Sequence, residues 1–278
     1  MQDMLESVQR FVAGEVAPQA AAIDRDGQLP EGLWNKLAEQ GLTALAVPTR
    51  WGGVEADLPL FAACFEALGA ACASTAWTLL AHALAARAVA VAGTPEQQER
   101  LLPGLASGQI KGSALVVTEA GGGSNPAVMG TRARRDGEHW QLDGSKEFIS
   151  LAGAADLYVV MARTADTPGT LACFLVESGD AGFSCRGRED LLGVRGVPVG
   201  AMNFEACRLA EDRLLGAENG GFGLLGAAGG WGMVGAAAAA LGMAEATAQE
   251  VTAHLREREV GGTALSSQPG VQQRLAQV

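Results

Sequence analysis

The chain has 278 residues, of which 48% are hydrophobic and 18% are charged, and its formal net charge is −11. That length allows two domains or one large domain with a sizeable core, and the acidic balance argues against a nucleic-acid or anionic-membrane partner. The first residues, MQDMLESVQRF, carry acidic groups where a secretory signal needs positive charge, so the sequence predicts a cytoplasmic protein.

The spacing of hydrophobic residues predicts helices in the first part of the chain. Apolar residues recur there at the spacing of amphipathic helices, and two long segments are rich in alanine. Thr94, Pro95 and Gln97 form a helix start, with a side-chain cap, a proline at the first helical position and a residue that reaches back to the cap. The predicted helices cover residues 4–12, 30–41, 58–69 and 74–93, and another follows Thr94.

After residue 108 the hydrophobic period changes from about 3.6 to about 2, as expected for strands. Asp136-Gly137 and Asp143-Gly144 predict hairpin turns. The fold class is therefore α+β multidomain: an N-terminal helical domain (1–108), a middle antiparallel β-barrel or sandwich (109–218) and the start of a C-terminal helical bundle (219–278). The predicted strands are residues 113–117, 130–134, 139–142, 157–162, 172–176 and 200–204.

An uncharged run at residues 224–244 is long enough to span a bilayer, and Gly226 and Gly230 have the spacing of membrane helix pairs. Because glycine and alanine gain little from lipid, we expect a buried, closely packed soluble helix and no membrane span. A further helix begins at Pro269. Since an amphipathic face needs partners, we expect the chain to be incomplete or to be completed by another subunit.

The glycine-rich loop, residues 116–126 (VVTEAGGGSNP), follows the first strand. Its three glycines let a ligand approach the backbone closely. Surface connectors use glycine as well, and the loop matches neither the phosphate-loop nor the dinucleotide pattern. From the residues alone, ligand contact and plain connection are equally supported.

The cysteines and histidines predict neither disulfides nor a metal site. The five cysteines are odd in number and include no C-x-x-C pair. The three histidines lack metal-ligand spacing and lie beside no recognisable nucleophile. We expect reduced thiols and no metal; the residues are Cys64, Cys72, Cys173, Cys185, Cys207, His82, His139 and His254.

Further motifs accompany the loop in order: PTRWGG at 48–53, LDGSKEFISLAGAADLYVVMART at 142–164, LLGVRG at 191–196, FEACRLAEDRLLGAENGGF at 204–222 and REREVGG at 256–262. Together with TEAGGGSN at the start of the β part, they resemble the acyl-CoA dehydrogenase family of flavoproteins over essentially the whole chain. The resemblance also implies that the family's later helices are absent.

That resemblance implies an FAD-dependent oxidoreductase of fatty acid metabolism, a dimer or tetramer of like or unlike subunits. It implies an acyl thioester substrate and an electron-transfer flavoprotein or similar acceptor. Residues 115–124 would run along the flavin, with Ser124 also near the substrate, and Arg258 would reach the FAD pyrophosphate of a neighbouring subunit. The implied cofactor-binding residues are Leu115, Val117, Thr118, Gly123, Ser124, Phe148, Ile149, Ser150, Arg258 and Gln268.

The sequence assigns no catalytic base. Dehydrogenation of a thioester needs a carboxylate near the α-carbon. In part of the family the resemblance places this base at a position that corresponds to about Gly232 here, and glycine has no carboxylate. A neighbouring arginine of the family corresponds to Met233. Glu245 and Glu250 lie downstream and are expected to be solvated helix charges.

Three hypotheses follow. The first is α,β-dehydrogenation of an acyl-CoA or of a thioester bound to a carrier protein. The second is a flavin monooxygenase of the same fold, suggested by STAW at residues 74–77 and by His82. The third is a non-catalytic, flavin-binding partner subunit that lacks its own base.

Overall fold

Helices make up the first part of the computed structural model, which describes residues 2–277 of the chain. Local caps explain where two of them begin. The Asp57 side chain accepts a hydrogen bond from the Leu60 amide, and Thr94 and Gln97 form the predicted capping box. The helices are α1 (Gln2–Phe11), α2 (Ala20–Asp26), α3 (Leu33–Glu39), α4 (Leu58–Ala71), α5 (Ala73–Ala92) and α6 (Pro95–Ala106).

Helix α5 is the central helix of this part, and it is buried on most of its circumference. His82 lies at its middle, where its Nε2 atom is 3.1 Å from the Leu105 carbonyl oxygen and its Nδ1 atom is 3.1 Å from Ser113 Oγ. Complete burial lowers the pKa of His82 to about 4. A neutral imidazole therefore joins α5 to α6 and to the first strand.

The middle part of the chain is a sheet of eight strands that is mixed rather than wholly antiparallel. Five pairings are antiparallel, as predicted, while β1 and β2 each lie parallel to β4. Strand β1 follows directly from α6 and is not joined to β4 by a hairpin, so a parallel pairing is open to it. The strands are β1 (Ser113–Val116), β2 (Arg132–Asp136), β3 (His139–Ser150), β4 (Leu157–Arg163), β5 (Leu171–Glu177), β6 (Phe183–Arg186), β7 (Val199–Ala210) and β8 (Leu214–Leu215).

The two predicted hairpin turns have different outcomes. Asp136 pairs with His139 across a tight turn in which Gly137 has a φ of 62°, so the first prediction is confirmed. The second is wrong, because β3 continues through Gly144 as a bulge opposite β7. A Cβ atom on Gly144 would lie 2.7 Å from Thr131 Cα, so this glycine serves close strand packing rather than a turn.

Helix α7 (Gly221–Glu257) packs one face against α4 and α5 through glycines. A Cβ atom on Gly242 would lie 2.0 Å from the Glu66 carbonyl oxygen, and one on Gly235 would lie 2.5 Å from Leu80 Cδ1. The predicted burial holds for this face only, since Met233 on the other side is 73% exposed. By length and composition α5 and α7 are long and apolar enough to cross a membrane, but α5 is mostly buried inside the protein.

The chain continues beyond α7 into a short hairpin and a last helix. Strands β9 (Glu259–Val260) and β10 (Thr263–Ala264) pair with each other, and α8 (Pro269–Leu275) begins at the predicted Pro269. This segment contacts the C-terminal part of α7 and lies at the end of that helix.

Candidate active site

A cleft of about 400 Å³ opens where the helical part meets the sheet. Its walls come from α5, from the end of β1, from the end of β3 and from α7. None of its lining residues is an Asp, Glu or His, so the cleft offers hydroxyl groups and apolar surface but no proton acceptor of its own. The lining residues are Trp77, Leu80, Ala81, Leu84, Ala114, Leu115, Val117, Thr118, Phe148, Ile149, Ser150, Leu225, Gly229, Gly232, Met233 and Ala236.

Thr118 is held in the cleft wall by a main-chain hydrogen bond to β3. The Glu147 amide donates to the Thr118 carbonyl oxygen over 3.0 Å, which attaches the second residue after β1 to β3. The glycine-rich loop then folds back, since the Gly122 amide donates to the Glu119 carbonyl oxygen over 2.9 Å. A Cβ atom on Gly123 would lie 2.8 Å from Thr118 Oγ1, so only glycine lets the loop pass so close to this hydroxyl.

A buried ion pair anchors the glycine-rich loop beneath the cleft. Lys146 Nζ lies 3.0 Å from Glu119 Oε1 and 2.9 Å from the Val117 carbonyl oxygen, and the Lys146 side chain is fully buried. Burial lowers the pKa of Lys146, and Glu119 opposes that effect. Burial alone would raise the pKa of Glu119, but hydrogen bonds from Thr131 and Gly130 and the charge of Lys146 outweigh it and lower that pKa.

The end of β3 presents an aromatic ring to the cleft from an unusual backbone conformation. Phe148 has a φ of 55° and is 63% exposed, and Leu151 has a φ of 62°. Left-handed conformations cost a non-glycine residue about 1–2 kcal/mol. The pairing of β3 with β7 shifts register between Lys146 and Ile149, which turns the strand at this point. Strain and exposure of a large ring coincide here, as they do at many functional sites.

Tyr158 holds the turn that follows Ser150. Its hydroxyl donates to the Leu151 carbonyl oxygen over 2.8 Å and accepts from the amides of Gly153 and Ala155 over 3.1 and 3.2 Å. Burial raises the pKa of Tyr158 to about 12, so the phenol stays protonated. One side chain therefore satisfies three backbone groups beside the cleft.

Trp77 joins the helical wall to the end of β3. Its Nε1 atom donates to Ser150 Oγ over 3.0 Å, and its ring is 41% exposed in the cleft. The sequence associated Trp77 only with the monooxygenase hypothesis and missed it as a cleft residue. Helical spacing identifies it, because Trp77, Leu80, Ala81 and Leu84 share one face of α5.

The predicted cofactor residues separate into three groups in space. Six of them line the cleft together, whereas Gly123 and Ser124 lie in the exposed loop next to it and outside its lining. Arg258 and Gln268 lie beyond the C-terminus of α7, and Arg258 is about 37 Å along the helix from Met233, at 1.5 Å per residue. The six cleft residues are Leu115, Val117, Thr118, Phe148, Ile149 and Ser150.

Two acidic residues of α7, Glu245 and Glu250, do not line the cleft. Glu245 lies on α7 beyond the segment that lines the cleft, and Glu250 is exposed further along the same helix. Gly232 does line the cleft, as its alignment with a base position requires, but it carries no side chain. Across residues 2–277 no group of three His, Cys, Asp or Glu side chains is placed to hold a metal ion.

Comparisons with known proteins agree over the whole chain. Family models of the acyl-CoA dehydrogenase N-terminal, middle and C-terminal domains match residues 1–109, 114–207 and 219–278. The chain is 32% identical over 275 residues to cyclohex-1-ene-1-carbonyl-CoA dehydrogenase of Syntrophus aciditrophicus (strain SB), an alignment that covers 98% of this chain and 66% of that protein.

Solved structures show the same architecture. Butyryl-CoA dehydrogenase from Megasphaera elsdenii superposes with a TM-score of 0.93 at 28% identity, over 99% of this chain and 74% of that one. A chain in the structure described as the electron transferring flavoprotein of Acidaminococcus fermentans gives a TM-score of 0.94 at 29% identity, over 99% and 73%. The expected order of a helical part, a β part and a second helical part is thereby confirmed.

Proposed function

The chain belongs to the acyl-CoA dehydrogenase family, whose members are FAD-dependent flavoproteins, and from that premise we propose that it is an FAD-dependent oxidoreductase that dehydrogenates an acyl thioester between its α- and β-carbons. The observation that carries the proposal is the convergence of Thr118, Phe148 and Ser150 on one cleft. Those residues come from two different strand ends, and each has the chemistry that a flavin requires.

The residues present fit a flat heteroaromatic ring. Phe148 presents an exposed ring, which suits stacking. Thr118 and Ser150 supply hydroxyl donors, and a charge-assisted hydrogen bond to such a ligand contributes about 1.5–3 kcal/mol. The glycine-rich loop keeps side chains away from Thr118. When bound, FAD supplies the acceptor for the β-hydride.

The apolar wall of the cleft suits an acyl chain. Leu80 and Leu84 of α5 face Leu225 and the glycines of α7, and this surface excludes water from the reacting carbons. We place the thioester between this apolar wall and the side of the cleft that carries the Thr118 and Ser150 hydroxyl groups. Ser124, in the exposed loop, would lie at the entrance of the cleft. Acyl-CoA and a carrier-bound acyl group both fit this arrangement.

Proton removal from the α-carbon needs a base that the lining of the cleft does not contain. This observation favours a second candidate function, a flavin-binding partner subunit to which another chain supplies the carboxylate. The two candidates share the cofactor and differ in turnover by the purified chain.

We assign Arg258 and Gln268 to the FAD of a neighbouring copy. Their distance from the cleft, about 37 Å for Arg258, separates them from the flavin ring held by the same chain. Arg258 is exposed, and its guanidinium is suited to the phosphate oxygens of a dinucleotide. The proposal therefore includes an oligomer in which copies share their cofactor sites.

Electrons must leave the cofactor for an acceptor, and we propose an electron-transfer flavoprotein for that role. The similarity to a chain in the structure of the electron transferring flavoprotein of Acidaminococcus fermentans supports this choice. We place the protein in the cytoplasm because its five cysteines are free and four of them are buried, as is usual in a reducing compartment.

The test uses the purified full chain, titrated with FAD and assayed on acyl-CoA and acyl-carrier substrates with an artificial one-electron acceptor. Bound FAD with an enoyl product supports the dehydrogenase. Bound FAD without turnover supports the partner subunit, and an oxygenated product selects a monooxygenase instead. Failure to bind FAD contradicts all three. Thr118→Val and Ser150→Ala are expected to weaken FAD binding, while Thr247→Val, an exposed threonine on α7, serves as the matched control.

A further inference from the structure

Ser150 has a hydrogen-bond arrangement that determines what its hydroxyl can do. The indole N–H of Trp77 is a donor and has no acceptor capacity, so the 3.0 Å contact from Trp77 Nε1 makes Ser150 Oγ the acceptor. A serine hydroxyl has one proton to give. Within residues 2–277 the Ser150 hydroxyl donates no hydrogen bond to the protein, and Ser150 lines the cleft.

The position of Trp77 is fixed by contacts at the start of α5. The Gly196 amide donates to Ser74 Oγ over 3.0 Å, and a Cβ atom on Gly196 would lie 2.9 Å from Ser74 Cβ. Gly196 lies just before β7, and β7 pairs with β3 at Ser150 through Val199. The donor and the acceptor of the Trp77–Ser150 hydrogen bond are therefore attached to the same rigid unit.

We propose that Trp77 is a positioning residue for the flavin. By occupying one lone pair of Ser150 Oγ, its indole restricts the hydroxyl rotor and keeps the serine proton available to donate into the cleft, where an acceptor atom of the isoalloxazine would receive it. A serine without this contact samples its rotors and its donor and acceptor roles freely. The inference deepens the proposed function, on which it rests, and Trp77 acts through Ser150 rather than on the substrate.

Double-mutant analysis of FAD affinity tests the proposal. Trp77→Phe keeps a ring in the cleft and removes the donor, and Ser150→Ala removes the hydroxyl. Losing one hydrogen bond weakens FAD binding by about 2- to 10-fold in each single variant. The double variant is expected to bind no more weakly than Ser150→Ala, because Trp77 has nothing left to orient. Val91→Ala, at an exposed position of α5 outside the cleft lining, is the control and is expected to keep the wild-type affinity.

The midpoint potential of bound FAD gives a second readout that a merely structural role would not change. A donor at the acceptor edge stabilises added negative charge, so Trp77→Phe is expected to shift the potential to a more negative value. A tenfold change in the ratio of the affinities for reduced and oxidised flavin corresponds to about 30 mV for a two-electron couple. The same substitution in the Ser150→Ala background is expected to leave the potential where Ser150→Ala alone puts it.

The outcomes separate this inference from the function it rests on. Equal effects of Trp77→Phe in the wild-type and Ser150→Ala backgrounds overturn the positioning role while FAD binding stands. Unchanged affinity and potential in Trp77→Phe overturn it as well. A wild-type chain that binds no FAD overturns both the inference and the proposed function.

Discussion

Lys146 and Glu119 form a buried ion pair in which the ammonium nitrogen lies 3.0 Å from a carboxylate oxygen, beneath the wall of the cleft. The two residues are 27 positions apart in sequence, on a strand and on the glycine-rich loop. The same ammonium group also binds the carbonyl oxygen of Val117, the residue before Thr118. One lysine therefore determines where the loop leaves the sheet.

Lys146→Met is expected to lower the free energy of unfolding by about 3 kcal/mol, because it leaves the Glu119 carboxylate, whose side chain is only 13% exposed, without its charged partner. Urea unfolding measures the loss. Adding Glu119→Gln is expected to recover part of it, since both partners are then neutral. Arg25→Met, in an exposed pair with Asp26, is the matched control and is expected to change stability by less than about 1 kcal/mol. A loss no larger than that of the control would show that the buried pair is not the anchor.

Tyr158→Phe is expected to loosen the turn after Ser150. The change removes a donor to Leu151 and an acceptor for Gly153 and Ala155, at a cost of about 1–3 kcal/mol. Hydrogen exchange of the Gly153 and Ala155 amides is expected to accelerate, while amides inside β5 keep the wild-type rate. Unchanged exchange at the two turn amides would contradict the role assigned to the phenol.

Gly242→Ala is expected to destabilise the protein by about 1–3 kcal/mol, because the new methyl group would lie 2.0 Å from the Glu66 carbonyl oxygen of α4. Gly226→Ala is the matched control on the same helix, where a Cβ atom meets nothing within 4 Å. That control is expected to stabilise by about 0.5–1 kcal/mol through helix propensity. Thermal unfolding of the two variants should therefore shift in opposite directions, and a shift in the same direction would refute close packing at Gly242.

His82 predicts a loss of stability in weak acid. Its pKa is about 4 in the folded protein, below the value of about 6.5 in an unfolded chain. The unfolded state therefore binds the proton first, and stability falls as pH decreases from about 6.5 toward 4. At pH 5 the loss is about 2 kcal/mol relative to pH 7.5. Urea midpoints at the two pH values measure it.

The His82 prediction has its control in His82→Gln, which keeps a polar group between Leu105 and Ser113 and does not titrate. That variant is expected to be less stable at pH 7.5 and to lose less stability on acidification. An equal acid loss in both proteins would assign the effect to the carboxylates instead.

Sequence reasoning located one wall of the site and missed the other. Thr118, Phe148 and Ser150 came from the resemblance to a flavoprotein family, and all three line one cleft, while their contact with a flavin stays a prediction. Trp77 was missed, since periodicity gives the face of α5 but not which sheet residue that face meets. Asp143-Gly144 was misread because a local dipeptide does not show that Thr131 needs the space that a side chain would fill.

The facing surfaces of α5 and α7 differ in what they contribute to the cleft. A Cβ atom on Gly232 would lie 3.0 Å from Leu84 Cδ1, and one on Gly235 would lie 2.5 Å from Leu80 Cδ1. The leucine side chains of α5 therefore pack against glycine backbone in α7, where there is no side chain that could change rotamer. Under the proposed function, a substitution of Leu80 or Leu84 therefore changes the shape of the wall assigned to the acyl chain, whereas α7 contributes only backbone at the glycines opposite.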